Sequence, residues 1–565
     1  MTASLQARLR ARAERAPHGR ALAFLDSEGG FVWQSFEQVY RRAADHGARL
    51  ADLGIAPGDV CLLVLPSNEF CATVLLAVLL RGAVPLLLAP PILQAGPHSS
   101  LMEVLKGILK KADVRLVVAH ETLRKHRNEI DGIGTGTRFI FGEAEFAAVP
   151  NLPAHSPLAP SESDTAALQL TSGTTGTPRI ARWQQRNVLA ALDGMALAMR
   201  LTADDVCLNW TPLYHDMGLV NNFLLCLTRG TPLVMLSPTE FVKQPARWLR
   251  GLSDTGATVT WSPNFGYAIT AQRVKDEEIS DVRLDHVRTF WNAAEKIHLQ
   301  TVLDFHERFA AVGVRRGSLK MNFGCVENVG GATFTDLNAP FACERIDAHA
   351  LRDQRIASPV AESDGTPAIA VVGVGRPHPH LRIAIAAEDG SLVGDGQVGE
   401  VLLDTPSRMT EYVGEPEETT RALRGGLLRT GDLGYLRDGE LFWVGRVRER
   451  ITIRGRKIDP SELEGVLWKV SGLRAGCFAA FGVEHPGRGT EQMVLVAEVN
   501  EPPLPSYPEI AEAIHEQVNR ELGVPVSDIL LVKKGMLSKT SSGKRRHRHF
   551  RELYLRGGLE FVYRN

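Results

Sequence analysis

A run of six residues near the middle of the chain contains only hydroxyl side chains and glycines. This run, Thr171-Ser172-Gly173-Thr174-Thr175-Gly176, directly follows an apolar stretch, Ala166–Leu170, whose length and composition predict a buried β-strand. Such a loop presents backbone N–H groups and hydroxyls with little steric bulk, which suits a polyanion such as a triphosphate. No Lys-Ser/Thr pair closes the run, so it does not match the Walker pattern. A Gly- and Thr-rich surface turn is the alternative interpretation.

Four further motifs carry polar or charged side chains that could act on a small molecule, and they follow the loop in the order given. They are Tyr214-His215-Asp216-Met217-Gly218-Leu219, Asn292-Ala293-Ala294-Glu295, Phe323-Gly324-Cys325-Val326-Glu327 and Thr430-Gly431-Asp432. A fifth, Lys539-Thr540-Ser541-Ser542-Gly543-Lys544, lies near the C-terminus. Each motif is a weak signal alone, and their order and spacing carry the prediction.

The segment TSGTTGTPR at residues 171–179 resembles the phosphate loop of the AMP-forming acyl-adenylating superfamily. That superfamily includes acyl-CoA synthetases, fatty acyl-AMP ligases, luciferases and the adenylation domains of peptide synthetases. The other motifs resemble those of the same superfamily in the same order, so the similarity spans nearly the whole chain. Several positions depart from the usual pattern, among them Val326 and Asn328, which flank Glu327 where Ala and Ala or Thr are usual. Arg179 replaces a lysine, which keeps the charge but alters the donor geometry, and Phe323 replaces a tyrosine.

The resemblance implies ATP and Mg²⁺ as cofactors, with CoA or phosphopantetheine as the acyl acceptor. The nucleotide-binding residues that it implies are Thr171, Ser172, Gly173, Thr174, Thr175, Gly176, Ala294, Glu295, Asp432 and Arg446. It also implies Glu327 and Thr174 as ligands of Mg²⁺, a hard cation that takes carboxylate oxygens and phosphates. His215 would lie near the acyl carboxylate, although a packed loop histidine is an equal alternative.

Lys544 completes the implied catalytic set with Glu327 and His215. It would bridge the acyl carboxylate and the α-phosphate and stabilise charge during attack. The residues expected to line the acyl pocket are Trp261, Asn264, Trp291, Phe323 and Gly324. Trp291 is bulkier than the Phe or Tyr that is usual before this motif, which would shorten a fatty-acid tunnel. We therefore expect a medium-chain or cyclic acid rather than a very long chain.

The chain of 565 residues is too long for one core and predicts at least two domains. Alternating apolar runs and helical patterns predict an α/β fold with a large N-terminal domain of helix-covered mixed sheets. Shorter strands with Asp-Gly turns near residues 366–445 predict a small barrel-like subdomain. We place the adenylation domain at residues 1–446 and a small mobile α+β lid domain at 447–565, with a hinge near Arg448–Glu449.

Composition excludes several other classes of protein. The net charge of −1 gives no global field that favours nucleic acid or an anionic membrane. Seven scattered cysteines without a C-x-x-C pair, and an N-terminus without an apolar signal core, predict a cytoplasmic enzyme with reduced thiols. The apolar segment Cys71–Leu93 is interrupted by Arg81, Gly82 and Pro85, so together with Cys61–Leu65 before it, it predicts strand, buried helix and strand rather than a membrane span. The segment Gly373-Val374-Gly375 lacks the third glycine of a dinucleotide fingerprint.

The acceptor in the second half-reaction is less clearly indicated. The YHDMGL motif, the FxxxPxRWL-like pattern beginning at Phe241 and the long segment 328–369 resemble features of fatty acyl-AMP ligases. By contrast, Lys457–Glu464 is closer to CoA ligases. We expect acyl-AMP formation followed by transfer to the pantetheine thiol of a holo acyl carrier protein. Free CoA as acceptor and a degenerate, non-catalytic scaffold remain the alternatives, and the oligomeric state is open.

Overall fold

The computed structural model describes residues 4–90, 98–131, 136–146, 160–171, 178–447, 449–453, 456–484, 491–501, 505–538 and 545–565. Ser172, Gly173, Thr174, Thr175, Gly176, Arg448 and Lys544 therefore lie outside the described residues. The helices are α1 Leu5–Arg15, α2 Phe36–Asp52, α3 Glu69–Leu80, α4 His98–Lys111, α5 Arg127–Asp131, α6 Glu143–Phe146, α7 Gln185–Met199, α8 Asp216–Gly218, α9 Leu225–Arg229, α10 Pro238–Lys243, α11 Ala246–Thr255, α12 Asn264–Arg273, α13 Leu299–Phe309, α14 Pro416–Ala422, α15 Glu462–Leu467, α16 Tyr507–Leu522 and α17 His547–Leu555.

The strands of the first two thirds of the chain are β1 Arg20–Leu25, β2 Phe31–Ser35, β3 Val60–Val64, β4 Val84–Leu87, β5 Val114–Ala119, β6 Arg138–Phe141, β7 Thr165–Leu170, β8 Ile180–Gln184, β9 Cys207–Asn209, β10 Leu233–Met235, β11 Val259–Pro263, β12 Thr289–Ala293, β13 Leu319–Cys325, β14 Gly330–Phe334, β15 Cys343–Asp347, β16 Ala368–Val372 and β17 Arg376–Pro377. Those that follow are β18 Arg382–Ala386, β19 Leu392–Val393, β20 Gly399–Asp404, β21 Glu411–Tyr412, β22 Leu428–Arg437, β23 Glu440–Arg446, β24 Ile451–Ile453, β25 Arg456–Ile458, β26 Leu473–Glu484, β27 Glu491–Val499, β28 Val526–Val532 and β29 Tyr563–Arg564.

Two large mixed sheets form the bulk of the chain up to residue 446. One has the strand order β17-β14-β13-β12-β11-β9-β10-β1-β2, and the other has the order β21-β8-β7-β4-β3-β5-β6. Their central strands pair in parallel and several of their outer strands pair antiparallel, as expected where helices connect the inner strands. The apolar segment Cys71–Leu93 begins inside α3, which joins the parallel neighbours β3 and β4. The predicted strand–helix–strand unit is therefore confirmed, and no helix in the described part of the chain is long and apolar enough to cross a membrane.

The region predicted to be a small barrel forms an antiparallel sheet instead. Its order is β19-β18-β20-β22-β23, and in the described residues the edge strands β19 and β23 do not pair with each other. The sheet is therefore open. The predicted Asp-Gly turn at 389–390 lies between the antiparallel strands β18 and β19. The one at 438–439 lies between the antiparallel strands β22 and β23.

Apolar residues fill the two faces of the nine-stranded sheet differently. Trp261 and Trp291 are register partners on β11 and β12, so their side chains share one face, which packs toward the second large sheet. Phe290, one residue away, points to the opposite face and packs in a second aromatic cluster with Trp210 and Trp248. The strand period of two thus separates two cores within one body.

Residues from Ile451 onward have hydrophobic clusters of their own. One cluster joins β24 to β28 with α15 and α16, and another joins β26 to β28 with α17. The strands β26-β27-β28-β29 form a separate mixed sheet, which pairs with neither large sheet in the described residues. A segment with its own core can fold as a unit. We propose residues 1–446 and 447–565 as the two domains and call the second one the lid.

Gly375 is placed where no side chain fits. Its φ is +91°, and a Cβ there would overlap the backbone carbonyl of Phe334 on β14. Gly390, in the Asp389–Gly390 turn, has a nearly identical φ of +90°, and no atom lies within 4 Å of the place that a Cβ would take. The two glycines therefore differ in steric room and not in backbone conformation.

We expect Gly375→Ala to lower the free energy of unfolding by about 3 kcal/mol, because strain at positive φ adds to overlap with β14. Gly390→Ala carries the φ penalty alone and should cost about 1 kcal/mol. Urea denaturation followed by tryptophan fluorescence compares the two variants directly. Equal losses for both would contradict the assigned contact with β14.

Candidate active site

A cavity of about 620 Å³ opens between the N-terminal domain and the lid. It brings together residues from the separate sequence motifs, namely Thr171, His215, Ala294, Glu327, Asp432 and Arg446. A smaller cavity of about 160 Å³ adjoins it and shares Ala294, Gly324, Asp432 and Arg446. Glu464 and Arg545 of the lid line that smaller cavity. Residues far apart in sequence therefore meet in one cleft.

The Thr171–Gly176 loop connects two antiparallel strands, β7 and β8, rather than a strand and a helix. The N–H of Thr171 donates to the carbonyl of Arg179 at 2.9 Å, which pairs the two ends of the loop. Both Thr171 and Arg179 line the larger cavity. The ends of the loop thus lie at the cleft, and the roles predicted for residues 172–176 stay predictions.

Asp432 and Arg446 face each other across the hairpin of β22 and β23. Arg446 Nε lies 3.2 Å from Asp432 Oδ1, and the indole N–H of Trp443 donates to the same oxygen at 3.0 Å. Asp432 is only 3% exposed. The nearby carboxylate raises the pKa of Arg446 further above its ordinary value, so the guanidinium stays charged. The second oxygen of Asp432 is not used by either of these contacts.

Glu327 is held by a phenol. The hydroxyl of Tyr412 donates to Glu327 Oε1 at 2.6 Å, and both residues line the larger cavity. Burial and the adjacent carboxylate raise the pKa of Tyr412 well above its usual range, so it remains a donor. The guanidinium of Arg179 lies 5.1 Å from the centre of the Tyr412 ring and bonds to Glu418 at 2.6 Å. Arg179 therefore orients Tyr412, and Tyr412 in turn orients Glu327.

Ala294 adopts a backbone conformation that is uncommon for a residue with a Cβ. Its φ is +73°, and it lines both cavities. The next residue, Glu295, accepts a hydrogen bond at 2.6 Å from the N–H of Phe265, in the first turn of α12. This contact anchors the loop after β12 to the helix. The strained position lies at the cleft, where such strain commonly has a functional reason.

His215 lies at the start of α8 and lines the larger cavity with Asp216 and Met217. Its Nδ1 is 2.7 Å from Asp216 Oδ1, and the N–H of Met217 is 3.2 Å from the same nitrogen. The ring is therefore fixed in orientation. In the described residues, no group of three or more His, Cys, Asp or Glu side chains could hold a metal ion.

Polar contacts connect the loop after Glu295 to the lid. His298 Nε2 lies 2.7 Å from Glu464 Oε2, and Lys296 Nζ donates to Ser461 Oγ at 3.3 Å. Within the lid, Arg545 forms a bidentate pair with Glu464. Burial would raise the pKa of Glu464, but Arg545 and His298 outweigh it and hold that pKa well below its ordinary value. Arg545, which directly follows Lys544 in the sequence, lines the smaller cavity, and the role predicted for Lys544 stays a prediction.

The predicted acyl-pocket residues are divided between the cavity wall and the core. Phe323 and Gly324 line the smaller cavity. Trp261 and Trp291 are fully buried and stack at 5.4 Å, and Asn264 bonds to the side chain of Asn292. Within the described residues, Trp261, Trp291 and Asn264 line neither of the two cavities. Their assignment to the pocket stays a prediction.

Sequence reasoning missed several residues that the structure brings to the cleft. Trp443 and Tyr412 hold the two key carboxylates, while Asn221 and Asn322 line the larger cavity. Register across the hairpin could have found the Asp432–Arg446 pair, because a turn at 438–439 places them opposite each other. Cys325 also lines this cavity, and burial raises the pKa of its thiol well above the ordinary value, so it is not an activated nucleophile.

Residues 9–413 match the protein family described as AMP-binding enzyme. The long-chain-fatty-acid–AMP ligase FadD26 of Mycobacterium marinum is 26% identical over 584 residues, covering 98% of each chain. The medium-chain-fatty-acid–acyl-carrier-protein ligase JamA of Moorena producens is 33% identical over 417 residues, covering 70% of this chain and 69% of JamA.

A solved structure gives the same result for the fold. A chain from a study of fatty acyl-adenylate ligases of E. coli and L. pneumophila superimposes with a TM-score of 0.90. It is 26% identical in sequence, and the alignment covers 98% of both chains. The match includes the large α/β body and the lid. Together with the family match over most of the sequence, it shows that this chain belongs to the AMP-binding enzyme family.

Proposed function

We propose that this protein activates a carboxylic acid with ATP to form acyl-AMP and pyrophosphate, and then passes the acyl group to the pantetheine thiol of a holo acyl carrier protein. The observation that carries the proposal is the convergence of His215, Glu327, Asp432 and Arg446 on one cleft under the lid. Thr171, the first residue of the phosphate-loop candidate, and Arg545, which follows the catalytic-lysine candidate in the sequence, line the two adjoining cavities.

In the first half-reaction a carboxylate oxygen of the acid attacks the α-phosphorus of ATP. A phosphorus–oxygen bond to the acid forms as the bond to pyrophosphate breaks. The acyl carbon then carries AMP, a good leaving group, in place of the poor leaving group of the free carboxylate. His215 is proposed to contact the acid. Lys544 is proposed to neutralise charge that builds on the α-phosphate as the bonds exchange.

The proposed ribose site uses the oxygen of Asp432 that Arg446 and Trp443 leave open. A carboxylate can accept from both ribose hydroxyls, because each of its oxygens has two lone pairs. Ala294 and Gly324, in both cavities, provide small residues on which the flat adenine can lie. The contacts of Asp432 Oδ1 with Arg446 and Trp443 fix the orientation of the carboxylate before the nucleotide binds.

Glu327 fits the proposed role as a ligand of Mg²⁺. The Tyr412 hydroxyl bonds to one oxygen of the Glu327 carboxylate, and Glu327 lines the larger cavity. A negatively charged carboxylate is a ligand that Mg²⁺ prefers. Mg²⁺ commonly takes one or two carboxylates and completes its shell with water and substrate phosphates. Bound with ATP, it would neutralise phosphate charge, while Thr174 is proposed as a second protein ligand.

The second half-reaction is proposed to follow a rotation of the lid. The thiol sulfur attacks the acyl carbon, the carbon–oxygen bond to AMP breaks, and the thiol proton passes to solvent. The segment from β15 to β16 contacts the lid, because Arg352 between these strands pairs with Glu462 of the lid at 2.6 Å. This contact favours one class of acyl acceptor over the other. A segment tied to the lid restrains this rotation and favours a carrier that brings its own docking energy.

Free CoA is the alternative acceptor. The sequence Lys457–Glu464 resembles CoA ligases, and the basic residues near Arg545 could bind a CoA phosphate. A supply of acyl-AMP with either free CoA or a holo-carrier protein distinguishes the two acceptors by mass spectrometry. We expect thioester on the carrier at a rate at least tenfold above that on CoA. The reverse preference would assign the protein to the CoA-ligase branch.

We expect Asp432→Asn to raise the Kd for ATP at least tenfold, about 1.4 kcal/mol, because it replaces one of the two acceptor oxygens by a donor nitrogen and leaves Arg446 charged without its partner. Asp438→Asn, in the exposed turn of the same hairpin, is the control and should bind ATP normally. Calorimetric titration of both variants, with thermal unfolding as a check on folding, makes the comparison. Normal ATP binding by Asp432→Asn would exclude the proposed ribose site.

We expect Lys544→Ala to reduce acid-dependent pyrophosphate release about 100-fold, because a transition-state charge loses its stabilising group. Transfer from supplied acyl-AMP should be largely kept, because that step does not use the lysine. Lys534→Ala changes an exposed lysine of the same domain and serves as the matched control. Pyrophosphate release by Lys544→Ala at the wild-type rate would contradict the role of the lysine. If the wild type itself released no pyrophosphate, the non-catalytic scaffold would be favoured.

A further inference from the structure

Two buried amides form part of the wall of the larger cavity. Asn221 lies in a π-helical turn, Leu219–Leu224, and is 4% exposed. Asn322 lies on β13 and is 3% exposed. Both line the same cavity as His215, whose predicted position is beside the acyl carboxylate. Buried amides at a ligand cavity define which polar groups a ligand can bring there.

The hydrogen bonds that these two amides make show which amide atom of each side chain remains available to a ligand. The N–H of Gly331 donates to Asn221 Oδ1 at 3.3 Å, so the amide nitrogen of Asn221 is the free end. The amide nitrogen of Asn322 donates to the carbonyl of Thr333, so its oxygen is the free end. Neither free end has a hydrogen-bond partner in the described residues. The wall therefore offers one donor and one acceptor.

The two amides meet at Gly331. A Cβ on Gly331 would lie 3.0 Å from the amide nitrogen of Asn322, and the Gly331 N–H already contacts Asn221. The same Cβ would lie 2.7 Å from Phe334 Cζ. The amide of Asn322 and the ring of Phe334 therefore both border the place that a side chain at residue 331 would take.

Aromatic rings close the space behind this wall. Phe334 packs edge-on against Trp291 at 5.3 Å and Trp261 at 6.3 Å, and the two indoles stack on each other. Both indoles are fully buried, and Phe334 is 4% exposed. An alkyl chain that passed Gly331 would meet this cluster directly. The bulk of Trp291 alone predicted a medium-chain or cyclic acid. The packing of Phe334 against both indoles restricts the prediction to a shorter acid.

We infer that the acid is short and carries a hydroxyl group close to its carboxylate. A hydroxyl can accept from the amide nitrogen of Asn221 and donate to the amide oxygen of Asn322, whereas an oxo group satisfies the donor alone. An unsubstituted chain leaves both amide groups without partners and loses their hydration. The inference rests on the proposed function, since it identifies the acid that the same cleft activates.

The wild-type enzyme tests the inference through acid-dependent pyrophosphate release. The panel contains 2-, 3- and 4-hydroxybutanoate, butanoate, 3-oxobutanoate and dodecanoate. We expect one hydroxybutanoate to exceed butanoate in kcat/KM at least tenfold, because a site built around a hydroxyl rejects the analogue that lacks it. Preferential use of dodecanoate or butanoate would overturn this inference alone. Release with no acid at all would overturn the proposed function and this inference together.

Two variants test the amide wall. Asn221→Ala removes the free donor, so the ratio of hydroxybutanoate to butanoate kcat/KM should fall about tenfold toward unity. Asn222→Ala changes the neighbouring buried amide, which donates to the carbonyl of Met217, and should keep the wild-type ratio. A ratio compares two acids on one protein, so a general loss of activity cancels. An unchanged ratio in Asn221→Ala would overturn the assigned contact.

A second pair tests the aromatic cluster. Trp291→Leu opens space behind Gly331 and should raise the dodecanoate to butanoate ratio about tenfold. Trp248→Leu removes an equally buried indole from the cluster on the opposite face of the sheet and should leave that ratio unchanged. If Trp291→Leu does not fold, Phe334→Leu tests the same space with a smaller change. No gain with dodecanoate in a folded variant would overturn the role of the cluster.

Discussion

An ion pair between a half-buried arginine and a buried aspartate, at the junction of the two proposed domains, sets the geometry of the cleft. Arg446 ends β23, and its guanidinium pairs with Asp432 on the neighbouring strand. Its backbone N–H donates at 3.1 Å to Asp459, which belongs to the lid. Taking these charges out of water is unfavourable unless each keeps its partner, so the residues must remain together. The same arrangement that stabilises the junction also orients the carboxylate that we propose as the ribose acceptor.

The remaining site residues depend on that junction through short connections. β22 and β23 fix Asp432 at one side of the cleft, and the loop after β12 supplies Ala294 on the other. Lys296 and His298, a few residues further, contact the lid directly. The proposed nucleotide site and the position of the lid would therefore be coupled, because the same loop takes part in both. This coupling is what a two-step enzyme needs if one lid position serves each half-reaction.

Local patterns in the sequence predicted much of the fold. The apolar stretch Ala166–Leu170, predicted as the strand before the phosphate-loop candidate, lies within β7, which begins one residue earlier at Thr165. The barrel-like subdomain proved to be an open sheet, because its closure depends on edge pairing that no local pattern encodes. For the site, motif order identified Asp432 and Glu327, but not Tyr412, whose contact joins positions 85 residues apart.

The acyl side of the site shows the same limit. The family resemblance predicted Trp261 and Trp291 in the acyl pocket, and the structure places Phe334 against both. That ring comes from β14, which reaches them only through antiparallel pairing with β13. Asn221 could not be foreseen at the cavity wall either, because a π-helical turn shifts the face that a helical residue presents. Long-range pairing and irregular helix geometry account for what the sequence alone did not reveal.

The central claim is that ATP binds between the N-terminal domain and the lid. A crystal structure of the protein with α,β-methylene ATP and Mg²⁺ tests it most directly, because that analogue cannot release pyrophosphate. The account predicts the adenine beside Ala294 and Gly324, with the ribose hydroxyls on Asp432. Density for the analogue at another place, with this cleft empty, would contradict the account.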